Sequence, residues 1–152
     1  MRIGFGQYDR CFKKDSSFYM GGILFSAKDK NNLIDPNDPV IHSIADALLG
    51  AAATGGLYNY AESDRINNPE ILIEIEKEIH YRGLAIENID ITVVAPDQMI
   101  VNKQPEMHSK IISWLFIKPE QLNIKFTFNS DVADTKDYKI KITAVALLTN
   151  RS

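Results

Sequence analysis

Apolar residues recur at helical spacing in three stretches of the chain. Val40, Ile41, Ile44, Leu48 and Leu49 form one apolar face behind Asp38-Pro39, an N-cap followed by a proline at the first helical position. That spacing predicts a helix that stops near Gly55-Gly56. Asn68-Pro69 repeats the opening ahead of Ile71, Leu72, Ile75 and Ile79, and Gly83 stands where a left-handed C-cap residue is expected. A third helix is predicted from near Pro105 through Ile111, Ile112 and Leu115, closed by Lys118-Pro119. The other apolar stretches, 18–25, 89–94, 122–128 and 138–148, are short and rich in β-branched or aromatic residues, and read as strands. Ile124, Phe126 and Phe128 alternate with Lys125, Thr127 and Asn129, and Ile140 and Ile142 with Lys139 and Lys141. Each of these strands should therefore turn one face to a core and the other to something polar.

This order of elements predicts an α+β fold: a single domain over residues 1–152, with a mixed sheet covered by helices on one face. The uncovered face then needs a partner. Residues 28–37 and 131–137 read as polar loops within that domain, and no internal repeat or low-complexity linker divides it.

Composition narrows the function classes. At 152 residues and 45% hydrophobic the chain buries one core, and a net charge of -3 gives no basic field for nucleic acid or an anionic membrane. The amino terminus lacks the basic, apolar and small-residue regions of a signal peptide, and no apolar run approaches the roughly 20 residues of a spanning helix. A cytoplasmic protein is expected. The single cysteine, Cys11, rules out an internal disulfide and a multi-cysteine zinc cluster, and is read as a packing residue without a role.

Three stretches carry a likeness to a known family. One is Met1-Arg2-Ile3-Gly4-Phe5-Gly6 with the later Gly21-Gly22-Ile23. The most specific is Asp46-Ala47-Leu48-Leu49-Gly50-Ala51-Ala52-Ala53, with His42 four residues before it. The third is Ala144-Val145-Ala146-Leu147-Leu148, supported by Asn88-Ile89-Asp90-Ile91-Thr92 and Pro105-Glu106-Met107. On these residues the chain resembles the 2-C-methyl-D-erythritol 2,4-cyclodiphosphate synthase family, the zinc lyases of non-mevalonate isoprenoid biosynthesis. The resemblance implies an α+β protomer whose sheet packs with two others in a homotrimer, with active sites at the subunit boundaries.

The same resemblance locates the chemistry. The family holds its metal with an Asp-x-His pair on the first strand and a His on the first long helix, leaving one position open for a phosphate oxygen. In this register the pair falls on Tyr8 and Arg10, and His42 is the one ligand type that survives. Arg10 cannot become a ligand, because its guanidinium keeps its proton and its charge repels a divalent cation. Asp9 would replace Tyr8 only if the strand slipped by one residue, turning every neighbour to the opposite face. The family's phosphate-polarising His-Ser pair falls on Ile34 and Asp35. Its ribose-gripping Asp-x-Gly falls on Gly56-Leu57-Tyr58, and its transition-state threonine on Phe128. The cytosine-cradling segment becomes Ala95-Pro96-Asp97-Gln98-Met99. Lys136 matches the arginine that lines the family's central channel, and is expected to face the threefold axis.

The family uses zinc and a second divalent cation; these substitutions imply that this chain uses neither. Three functions follow. The first is a non-catalytic trimer that binds a small anionic or planar ligand in the old cleft, walled by Tyr8, Arg10, Tyr58, Tyr60 and Phe128, unless those residues merely fill a collapsed pocket. The second is an active synthase restored by compensating residues, which would carry zinc and release cytidine monophosphate. The third is a structural trimer that assembles with another protein, such as an intact homologue.

Overall fold

In the computed structural model, which describes residues 1–13, 16–25, 34–95, 98–128 and 137–152, the chain begins with a long strand, β1 (Arg2–Lys13). A hairpin of β2 (Ser17–Met20) and β3 (Ile23–Phe25) follows, then the two-residue β4 (Ile34–Asp35) and the first long helix, α1 (Pro39–Ala51). Two single-turn helices, α2 (Leu57–Tyr60) and α3 (Ser63–Ile66), connect it to α4 (Ile71–Tyr81). The second half runs through β5 (Leu84–Ala95), α5 (Gln104–Leu115), β6 (Leu122–Phe128) and β7 (Asp137–Asn150). The main sheet has the order β1-β7-β5-β6, with β5 and β6 parallel and the other pairs antiparallel.

Two expectations need correction. The stretch 18–25 is not one strand but the β2–β3 hairpin, which with β4 makes a second, three-stranded sheet. Gly21 and Gly22 both have positive φ, 60° and 79°, as a two-residue hairpin turn requires, so the glycine pair ends one strand and begins the next. The first long helix stops at Ala51, short of Gly55-Gly56. Its end is a Schellman closure in which Thr54 N–H bonds Leu49 C=O and Ala53 N–H bonds Gly50 C=O. Ala53 takes the left-handed conformation (φ 60°) that glycine usually supplies there. The start follows expectation: the Asp38 side chain accepts from Val40 and Ile41 N–H, and also from Gly21 and Gly22, joining helix and hairpin through one carboxylate.

α1 lies directly on β1. A Cβ on Gly4 would come within 1.7 Å of Ala47 C=O, and one on Gly6 within 2.0 Å of Ser43 C=O, so only glycine lets the two backbones meet. The inward residues of β1, β5 and β7, among them Ile89, Ile91, Ile140, Ile142 and Leu148, bury against the helices. On the open face stand Ile3 (73% exposed), Phe5 (59%) and Val145 (40%), with Lys139 and Lys141 farther along. Cys11 belongs to this outward row and is exposed, not packed, because β1 alternates and positions 3, 5, 7, 9 and 11 share a face. Among the described residues no helix is long and apolar enough to cross a membrane.

Candidate functional site

The inward side chains of β1 beyond the glycines are Tyr8, which meets the first turn of α1 at His42, Arg10, which reaches Asp35, and Phe12, which stacks on Phe18. Tyr8 pairs with Ile142 and is half-buried, whereas Asp9 points outward opposite Lys141, so no slip brings Asp9 inward. The Tyr8 ring meets the His42 ring edge-on at 5.4 Å between centroids. Burial, then the nearby Asp46 carboxylate, pushes the phenol's pKa well above its ordinary range. Tyr8 is thus a neutral hydrogen-bond donor at neutral pH.

His42 is buried on α1, and its Nε2 lies 3.0 Å from Ile66 C=O. A carbonyl oxygen only accepts, so Nε2 carries the proton and the lone pair of the neutral ring lies on Nδ1. Burial lowers the pKa of His42, keeping the imidazole neutral. Arg10 Nη2 donates to Asp35 Oδ2 at 2.7 Å, while Asp35 Oδ1 accepts from Asn37 N–H at 2.9 Å and Asn37 Nδ2 at 2.8 Å. Burial works against ionising Asp35, but the Asn37 bonds and the guanidinium outweigh it and hold the carboxyl below its usual range. Arg10 Nε is buried without a partner.

Asp46, one turn after His42 on the same face of α1, accepts from Leu57 N–H at 2.6 Å. Gly56 sits over it: a Cβ there would lie 3.0 Å from Asp46 Oδ1. Tyr58 is exposed and Tyr60 half-buried, and they line an open groove of about 860 Å3 with Glu62, Arg65 and Ile66. A second cavity, of about 380 Å3, lies between Tyr19, Pro36, Asp38, Asp64 and the 67–69 segment.

The fold therefore brings together Tyr8, Arg10, Asp35, His42, Gly56 and Tyr58. Ile34 is on β4, beside Asp35 and exposed. Within one chain Phe128 lies away from Tyr8: it pairs with Ala95 at the far edge of the sheet, three strands from β1, or about 14 Å at the usual strand spacing, the edge a cleft at a subunit boundary would draw from a neighbouring copy. Pro96, Asp97, Asn129 and Lys136 lie outside the described residues. Sequence reasoning had no place for Asp46 or Ile66 C=O. The i,i+4 spacing of His42 and Asp46 was the available signal for the first, and a backbone acceptor leaves no signal at all.

A zinc ion does not fit these side chains. The phenol keeps its proton, the guanidinium is a cation engaged by Asp35, and His42 Nδ1 is the one nitrogen lone pair left at the three family positions, too few ligands for a tetrahedral ion. Among the described residues no three His, Cys, Asp or Glu side chains gather as a metal-binding group.

A family model described as the YgbB family matches residues 1–149. A 2-C-methyl-D-erythritol 2,4-cyclodiphosphate synthase of Buchnera aphidicola is 33% identical over 132 residues, 84% of this chain and 79% of the relative. Another so named, from Clostridium botulinum, is 32% identical and covers 97% of this chain and 99% of its own. Among solved structures, an IspF from Plasmodium falciparum in complex with CDP superposes with a TM-score of 0.80 at 24% identity, covering 99% of this chain and 97% of the other.

Proposed function

This chain belongs to the YgbB family, and we propose that within it the chain is a degenerate 2-C-methyl-D-erythritol 2,4-cyclodiphosphate synthase homologue, a trimer that binds a ligand or protein partner without catalysis. The observation that carries the reading is the state of the former ligand positions: Tyr8 stays a protonated phenol and Arg10 a guanidinium paired with Asp35, so the Nδ1 of His42 is the single imidazole-type ligand left. Without the ion, the cleft has no Lewis acid for a phosphate oxygen, and Ile34 cannot donate a hydrogen bond in its place.

The charges favour one kind of occupant. Asp35, Asp38 and Asp46 supply three carboxylates at this corner against the single guanidinium of Arg10, which Asp35 already engages. An anion gains little there. The aromatic groove of Tyr58 and Tyr60 suits a planar, uncharged ligand or a protein surface better.

The trimer reading rests on the open sheet face, where Ile3, Phe5 and Val145 lack intramolecular cover. Phe128, at the opposite edge from Tyr8, would then reach a cleft only on a neighbouring copy. The rival reading, an active synthase, is favoured by the names of relatives that align over nearly the whole chain. Two measurements on the purified protein separate the readings. Light scattering should give a mass three times that of the 17.1 kDa chain, and elemental analysis no stoichiometric zinc. A monomer mass would defeat the trimer, and about one zinc per chain would defeat the degenerate site.

A further inference from the structure

We propose that a cavity between the ends of α4 and α5 binds a small zwitterion with an apolar body, a free apolar α-amino acid, at a place separate from the groove of Tyr58 and Tyr60. The cavity measures about 220 Å3 and is walled by Leu84, Ile86, Leu115, Phe116 and Ile117, with Glu76, His80 and Arg151 as its charged or titratable lining. It lies among α4, α5 and the start of β5, so a partner on the open sheet face would leave it accessible. The proposal does not depend on how the cleft at Tyr8 is read.

The wall is strained where it is most exposed. Phe116 follows α5 in the left-handed conformation (φ 52°), donating its N–H to Ile112 C=O in the place that glycine usually takes. A bulky residue is disfavoured there, and its side chain is 68% exposed, so neither the turn nor burial in the chain calls for a phenylalanine. A ligand against the ring does.

The charges define the ends of that ligand. Arg151 is held at two points, its backbone N–H donating to Gly83 C=O at 2.9 Å and its Nη1 to His80 Nε2. Glu76 lies one helical turn before His80 on the same face of α4. Among the described residues neither Glu76 nor Arg151 forms an ion pair, although both line one small cavity. A carboxylate and a guanidinium that flank apolar walls without meeting each other match the two ends of a zwitterion. Arg151 Nη2 and Nε donate to the ligand's carboxylate, Glu76 accepts from its ammonium, and its apolar body lies against Phe116 and Ile117. Gln121, also in the lining, has its amide engaged within the chain, Nε2 with Ile86 and Glu87 C=O and Oε1 with Lys118 N–H. The volume falls below the roughly 300 Å3 at which pockets for larger ligands begin, which excludes a nucleotide and admits one amino acid.

Nuclear magnetic resonance on the full chain, titrated with L-leucine, tests this. Saturable shifts should appear at Ile86, Phe116 and Ile117 with a Kd on the order of 1 mM, the affinity open to a ligand of so few atoms, while Tyr58 and Tyr60 stay unmoved. 4-Methylpentanoate, which lacks the ammonium, and isoamylamine, which lacks the carboxylate, should each bind at least about tenfold more weakly, as should leucine to Glu76→Gln and to Arg151→Gln. Phe116→Gly suits the left-handed turn and so removes the ring without harm to the fold; it too should weaken leucine. Absence of saturable shifts at the three residues by about 10 mM leucine would overturn the site. So would analogues that bind as tightly as leucine, or full affinity in the Gln variants or in Phe116→Gly.

Discussion

The seam between β1 and α1 has two halves that are built in different ways. At Gly4 and Gly6 the backbones themselves are in contact, with Ala47 and Ser43 C=O where side chains would have to go, and Ser43 Oγ donating to Gly6 C=O at 2.9 Å. At Tyr8 and Arg10, a few residues along the same strand, side chains fill the gap: the Tyr8 ring meets the edge of His42 and Arg10 bonds Asp35, with its Nε left without a partner. The first half admits no substitution without moving an element. The second accepts any set of side chains that satisfies its own polar groups. A chain can therefore keep its family's fold intact while its chemistry is rewritten next door, since separate physical constraints govern the two.

The largest effect should come from breaking the first half. Gly4→Ala places a methyl 1.7 Å from a backbone oxygen, and it should destabilise by at least about 3 kcal/mol or prevent folding. Urea unfolding measures it; a loss under about 1 kcal/mol would show that α1 can back away from β1.

The second half should be rewritable without loss of fold. Tyr8→Asp with Arg10→His returns two ligand types to the neighbourhood of His42. With the Nδ1 lone pair of His42 as the third ligand, this double variant should bind zinc, and at a hundredfold excess over Kd the ion adds about 2.7 kcal/mol to stability, read as a thermal shift absent from the unmodified chain. Turnover should stay near zero because Ile34, Gly56 and Phe128 remain. No thermal shift would mean that β1 and α1 no longer aim the three positions at one point.

The smallest effect is a pH dependence. His42 has its pKa lowered by burial from an ordinary value of 6.5, so below that pH the unfolded chain takes up a proton that the folded chain resists. Stability should fall as pH drops from 6.5 toward the folded pKa, and be flat above it. His42→Gln should remove the slope between pH 7.5 and 5.5 in urea midpoints. A slope of the same size in the variant would assign it to other groups.

Much of this was legible before the coordinates. Asp38-Pro39 and the spacing of Val40 to Leu49 placed the start of α1, and the alternation in 138–148 placed β7. The end of α1 was misread because Ala53, not a glycine, adopts the left-handed turn. β1 left no apolar alternation to find, since its inward positions begin with Gly4 and Gly6 and its apolar Ile3 and Phe5 face out. At the site, resemblance was enough to bring Tyr8, Arg10 and His42 together. It could not show that Asp46 accepts from Leu57 N–H, nor that His42 Nε2 donates to Ile66 C=O, because both depend on where the α2–α3 connection turns back. Sheet order puts Phe128 at the opposite edge of the chain from Tyr8, so its place in a cleft depends on a neighbouring copy.

The central claim is that the cleft has lost its chemistry while the fold persists. The most direct test incubates the purified protein, with zinc and a second divalent cation added, with the cytidine diphosphate substrate of the family it resembles, and follows cytidine monophosphate. The account predicts release no faster than in a protein-free control, unchanged by His42→Ala. Release above that control that disappears with His42→Ala would contradict it.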